Sequence, residues 1–171
     1  MIEDKSRRKF LTSVSMLAAG TVFAPSASAF GLADRKLKVV LVGTGVRGTS
    51  FWGKRLVDEY SDILEFVGLC DINPGRLEYA KKYMNVKCNT YGDFDKMIAE
   101  NKPDLIIVTT TDATHHKYVI RGLDLGCDVL TEKPLTIDER KCQDILDAER
   151  RSKKKVIVGF NYRWSPYSTK V

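Results

Sequence analysis

Three glycines spaced Gly43-x-Gly45-x-x-Gly48 follow directly on the apolar, β-branched run Lys38-Val-Val-Leu-Val42. A helix-like segment through Trp52, Leu56 and Val57 comes next. The chemistry such a pattern serves is the holding of a diphosphate. Gly43 lets the chain turn sharply off the strand, and Gly45 has no Cβ to keep a pyrophosphate from the backbone. Gly48 lets the new helix pack closely on the sheet, with its N-terminal N–H groups and dipole facing the phosphates. Val46 and Arg47 complete the loop and count with it as cofactor contacts. The pattern gains weight from its setting, a strand before, a helix after, and an acidic residue closing the next strand. That residue is Asp71, at the end of Leu64-Glu-Phe-Val-Gly-Leu-Cys70. It stands 26 residues after Gly45, against the usual ~20, so the first helix and its loop are expected to be long. A carboxylate there accepts hydrogen bonds from ribose hydroxyls and repels a 2′-phosphate, which favours NAD over NADP. Arg76, five residues on, tempers that preference.

A second group of polar residues falls at the exits of later strands. Pro103-Asp-Leu-Ile-Ile-Val108 has the continuous apolar character of a central parallel strand. Thr109, Thr110 and the turn through His115 sit at its C-terminal end, where doubly wound sheets bind ligands. Cys127 to Thr131 is the next strand, with Glu132-Lys133-Pro134 at its exit, and Val156 to Phe160 is a sixth, followed by Asn161-Tyr-Arg163-Trp164. Between them lie helical patterns. Asn73-Pro74-Gly75 opens one through Leu77, Ala80 and Tyr83, with proline at an early position. Asp93 caps another, one starts near His116 and stops at Gly126, and one runs from Ile137 to Ser152. Val86 to Tyr91 is expected as an edge strand. Alternation of strand and helix throughout gives an α/β fold, a doubly wound parallel sheet of about six strands with right-handed crossovers.

The 171 residues, 43% hydrophobic and 29% charged, suit one ordinary globular domain. Of the formal charge of +6, the first 29 residues supply four basic and two acidic groups, leaving +4. Much of that lies in Arg150-Arg151-Ser-Lys153-Lys154-Lys155, which reads as a solvated helix C-terminus favourable to the dipole and not as a nucleic-acid patch. Ser6-Arg7-Arg8-Lys9-Phe10-Leu11 resembles a twin-arginine export motif. A weakly apolar stretch to Ala24 follows, then Pro25 and the small-residue site Ala27-Ser28-Ala29. The stretch is short of the ~20 apolar residues a spanning helix needs, so no stable membrane anchor is expected. Residues 1–29 are thus expected to be a signal peptide cleaved near Ala29, with 30–36 a linker and the mature protein periplasmic. Since that route carries folded proteins, the cofactor would be loaded before export and tightly retained. Four cysteines, Cys70, Cys88, Cys127 and Cys142, match no metal spacing, and free thiols are expected. The adjacent His115 and His116 likewise suggest no metal site.

Taken together, Gly43-x-Gly45-x-x-Gly48, Asp71, the Thr110 to His115 turn, Gly126, Glu132-Lys133-Pro134 and Gly159-Phe-Asn161-Tyr-Arg163 resemble the N-terminal, Rossmann-type NAD(P)-binding domain of the glucose–fructose oxidoreductase/inositol dehydrogenase/rhizopine-catabolism (Gfo/Idh/MocA) family. The resemblance covers about residues 36 to 171, and departs from the family at Thr111, where proline is usual, and at Trp164, where phenylalanine is common. It implies hydride transfer between nicotinamide and a carbon bearing a sugar or polyol hydroxyl. Lys133 would then be the catalytic residue, steadying a developing alkoxide and exchanging its proton, with Pro134 after a cis peptide bond. Glu132, Lys133, Asn161 and Arg163 would contact the cofactor. His115 would line the nicotinamide end, or equally be a helix-terminal imidazole bonded to backbone.

The family also carries a second α+β domain that completes the sugar pocket and forms the assembly surface of homo-oligomers. The cofactor domain here is expected over 37–165, with 166–171 beginning the connection to that absent domain. Two alternatives stand beside the redox reading. One is a glycosidase of the same superfamily that uses NAD for transient oxidation and elimination. The other is a nucleotide-binding fragment without catalysis. The twin-arginine translocase is the further partner the signal implies.

Overall fold

The computed structural model describes residues 35–160. The signal-like segment and Asn161, Arg163 and Trp164 lie outside the described residues. Six strands, β1 (Leu37–Val42), β2 (Leu64–Cys70), β3 (Asn89–Tyr91), β4 (Leu105–Val108), β5 (Asp128–Glu132) and β6 (Val156–Gly159), make one sheet in the order β3-β2-β1-β4-β5-β6. Each pairing is parallel. Parallel strands put all their C-terminal ends on one edge, and the order reverses direction between β1 and β4, which opens a crevice there.

The helices begin and end for local reasons. Helix α2 (Pro74–Met84) is capped by Asn73, α3 (Phe94–Asn101) by Asp93 and α5 (Glu139–Ser152) by Asp138, each side chain accepting an N–H three residues on. Asn85, Lys102 and Lys153 then take left-handed conformations that stop these three helices. Helix α4 (His115–Asp124) starts one residue earlier than its apolar spacing suggests, directly after a 3-10 turn at Asp112–Thr114. Asp138, being extended at φ −148°, moves the start of α5 from Ile137 to Glu139.

Two departures from the sequence pattern have clear causes. The edge strand pairs only over Asn89–Tyr91, because the Val86 N–H turns back to Lys81 O and closes α2. The long interval between Gly45 and Asp71 is filled by eight residues of π-helix, Arg47–Lys54, running into a six-residue α-helix, α1 (Arg55–Tyr60).

Side chains alternate across the sheet and fill two cores. Val40, Val42, Ile106, Val108 and Val129 pack against Phe94, Met97, Val119, Leu123 and Ile145 on one face. Val39, Leu41, Ile107 and Leu130 pack against Leu77, Ala80 and Met84 on the other, with Trp52 and Leu56 at its margin. Val39 to Leu41 and Ile106 are wholly buried, as a central strand covered on both sides should be. An exposed fork between Arg121 and Asp95, at 2.9 Å, ties α4 to α3, and the guanidinium holds that carboxyl below its usual range.

The four cysteines are free thiols. Burial pushes Cys70 and Cys88 each up to about 11, and Cys127 upward too. Only the thiolate is a nucleophile, so at pH 8 Cys70 and Cys88 should resist iodoacetamide in the native protein and react within minutes once urea unfolds it. Mass spectrometry of the two states checks this.

Candidate functional site

At the crevice the glycine loop is locked from behind. Gly43 takes φ +89°, and a Cβ there would lie 2.7 Å from Thr109 C, Thr109 O and Thr110 N, all backbone atoms. A Cβ at Gly48 would run into Gly43 O and Thr109 Oγ1. The Thr109 hydroxyl donates to Gly43 O at 2.6 Å and closes the turn. Gly45 is different, since a Cβ there meets nothing within 4 Å. The chain's own packing therefore demands glycine at 43 and 48, whereas at 45 it leaves an open backbone face. Such a face, at a helix start, fits a diphosphate.

Asp71 lies beside this loop at the end of β2 and is 8% exposed. Its Oδ2 accepts from Thr44 N at 2.7 Å and Thr44 Oγ1 at 3.0 Å, and its Oδ1 from Asn73 N at 2.9 Å. A carboxylate has about four acceptor positions, so about one remains for a ribose hydroxyl while the same group pins the loop. Arg76 sits on the exposed first turn of α2. Ile72, immediately after Asp71, and Val46 in the loop are each 87% exposed, an apolar rim around the crevice. Val46 was counted as a cofactor contact from the sequence; Ile72 and Thr44 were not, although their position at the strand exits was the available signal.

Thr110 and His115 follow β4. The Thr110 hydroxyl accepts from Thr114 Oγ1 at 3.0 Å. His115 is fully buried, with Nδ1 2.8 Å from Pro134 O and Nε2 3.1 Å from Thr110 O. Both partners are carbonyl oxygens, so it is a ring N–H that donates to them. Of the two readings open at the sequence level, this is the backbone-bonded imidazole: the ring clasps the loop after β4 to the loop after β5.

Glu132 ends β5, and the loop after it carries Lys133 and a cis-bonded Pro134. Glu132 is 6% exposed, and its Oε1 accepts from Arg47 Nε and from Trp52 Nε1, both at 2.6 Å. Its Oε2 accepts from the Lys133 backbone N–H at 3.2 Å. Arg47 and Glu132, both assigned to the cofactor from the sequence, are thus also bonded to each other. Trp52 was seen only as part of a helical pattern, because nothing local links it to a residue 80 positions away. The Lys133 side chain is exposed at the mouth, and its ammonium has no partner among the described residues. Asn161 and Arg163 lie outside those residues.

A parallel sheet in this order, with a glycine-rich loop at its switch point and an acidic residue just after β2, defines a dinucleotide-binding Rossmann domain. Residues 37–160 match the Gfo/Idh/MocA oxidoreductase family, NAD-binding Rossmann fold, and the chain belongs to that family. It is 36% identical over 137 residues to YteT of Bacillus subtilis. It is 28% identical over 130 residues to an inositol 2-dehydrogenase/D-chiro-inositol 3-dehydrogenase of Lactiplantibacillus plantarum. These alignments take in 78% and 75% of this chain but only 32% and 37% of the relatives. Among solved structures, the myo-inositol dehydrogenase of Lactobacillus casei in complex with NAD(H) and myo-inositol superposes with a TM-score of 0.72 at 27% identity. That superposition covers 77% of this chain and 39% of the other. The chain is therefore the NAD-binding domain of an oxidoreductase family, spanning about two-fifths or less of these relatives' lengths.

Proposed function

We propose that this domain serves an exported oxidoreductase that exchanges a hydride between a tightly held NAD and a sugar or polyol hydroxyl. The observation that carries the reading is the exposed Lys133 at the exit of β5, on the same sheet edge as the open face at Gly45. The inositol dehydrogenases among the relatives support the substrate class.

NAD, when bound, supplies the hydride acceptor or donor at its nicotinamide ring. The chain's own residues do the rest. The N–H groups of Gly45 to Gly48 at the helix start hold the diphosphate, and Asp71 takes a ribose hydroxyl. The ammonium of Lys133, directed at the substrate oxygen, stabilises negative charge there and moves the proton. His115 and Glu132 fix the backbone on either side of that lysine. The whole protein's remaining length supplies the substrate pocket. The twin-arginine-like segment, the cut near Ala29 and cofactor loading before export belong to the same proposal.

Protein purified from the periplasm should carry NAD(H) at close to one equivalent, detected by absorbance and mass spectrometry. Cofactor-stripped protein should enhance NADH fluorescence on titration, with NADPH binding more weakly. Protein that neither carries nor rebinds the nucleotide would remove the basis of the reading.

A further inference from the structure

Arg47 and Trp52 stand five residues apart and yet donate to the same oxygen, Glu132 Oε1. In an α-helix, 3.6 residues per turn set side chains five apart about 140° from each other around the axis. The i→i+5 bonding of a π-helix, with roughly 4.4 residues per turn, reduces that angle to roughly 50°. The π-helical stretch Arg47–Lys54 is therefore what brings a guanidinium and an indole to one carboxylate. The Arg47 guanidinium is braced further by the Phe51 ring, 3.9 Å from its centroid. The other oxygen of Glu132 takes the Lys133 N–H. A continuous chain of bonds thus runs from the turn just after Gly45 to the backbone of Lys133, its Arg47–Glu132 link spanning 85 residues of sequence.

The Glu132 carboxylate is buried while the Arg47 side chain is 43% exposed, so Glu132 is the anchored end of the pair, held by two bonds of 2.6 Å. Trp52 is positioned in turn by the sheet: a Cβ on Gly159 of β6 would come within 2.9 Å of its ring. Arg47 follows Gly45 by two residues in the same loop, so an anion bound on that loop would act on the guanidinium that holds Glu132. Its charge acts on the same group that sets the Lys133 backbone.

We propose that Arg47, Trp52 and Glu132 are positioning residues, a strut through which occupancy of the diphosphate loop fixes the direction of Lys133. The inference rests on the function proposed above and adds to it a coupling between the two ends of the site.

The test uses the full chain, NADH as probe, and two amide- and indole-resolved readouts by NMR. In the native protein, NADH should shift the Trp52 indole N–H resonance, identified by its loss in Trp52→Phe. NADH should also slow hydrogen exchange at the Lys133 amide about fivefold or more. Trp52→Phe should keep NADH affinity within about threefold and lose the slowing at Lys133. Glu132→Gln, which keeps the shape without the charge, should move the indole resonance before any NADH is added and also lose the slowing. Because the second variant is nearly isosteric, it carries the test if the first fails to fold. NADH binding with an unmoved indole, or with Lys133 slowed equally in the variants, overturns the strut and leaves the proposed function standing. No NADH binding to the native protein overturns both.

Discussion

Gly45→Ala is expected to leave stability within about 0.5 kcal/mol of the native chain while weakening NADH binding roughly 10- to 100-fold. The added methyl meets no protein atom within 4 Å, so nothing in the fold resists it. It stands, however, on the face where a diphosphate would reach the backbone N–H groups, and each charge-assisted hydrogen bond lost there costs about 1.5–3 kcal/mol. Gly43→Ala provides the contrast. Its backbone is at φ +89° and the methyl would press on three backbone atoms of Thr109 and Thr110 at 2.7 Å. Left-handed strain and overpacking together should cost on the order of 2–5 kcal/mol. Urea unfolding and NADH titration of both variants separate the effects. Equal destabilisation by the two substitutions would mean the face at Gly45 is not open, and unaltered binding in Gly45→Ala would mean the nucleotide does not lie there.

Lys133→Ala carries the second large effect. In a protein with the relatives' full length, hydride transfer should fall about 10²- to 10⁴-fold, the range for losing a positioned proton-transfer group. Any loss of NADH affinity should be much smaller than that, since the glycine loop and Asp71 hold the diphosphate and ribose end of the nucleotide. Pre-steady-state transfer to NAD, followed at the absorbance of NADH, isolates the chemical step from product release. Transfer at the native rate in Lys133→Ala would remove the lysine from the mechanism.

The architecture was largely legible because its signals are local. Continuous apolar, β-branched runs marked β1 and β4, Asn73-Pro74-Gly75 opened one helix and Asp93 announced another as its cap. Asp138 did the same work unnoticed, since Ile137 before it continued the apolar pattern. The glycine loop and Asp71 were legible for the same reason, as each reports a backbone need at a fixed offset. What stayed hidden was contact across the sheet. No periodicity distinguishes a π-helical turn from an α-helical one over eight residues, so the meeting of Arg47, Trp52 and Glu132 could not be foreseen. His115 was ambiguous because a buried imidazole and a ligand-facing one look alike in sequence; only the carbonyls of Thr110 and Pro134 decide between them.

That imidazole has a consequence for anyone seeking to alter what the protein accepts. Two crossover segments that a parallel sheet would let vary separately are buttoned together by one ring, so mutations in either will be felt in the other. Grafting a single loop from a relative should therefore misplace its neighbour, and a successful transplant will carry the turn at 110 and the turn at 134 as one piece, histidine included.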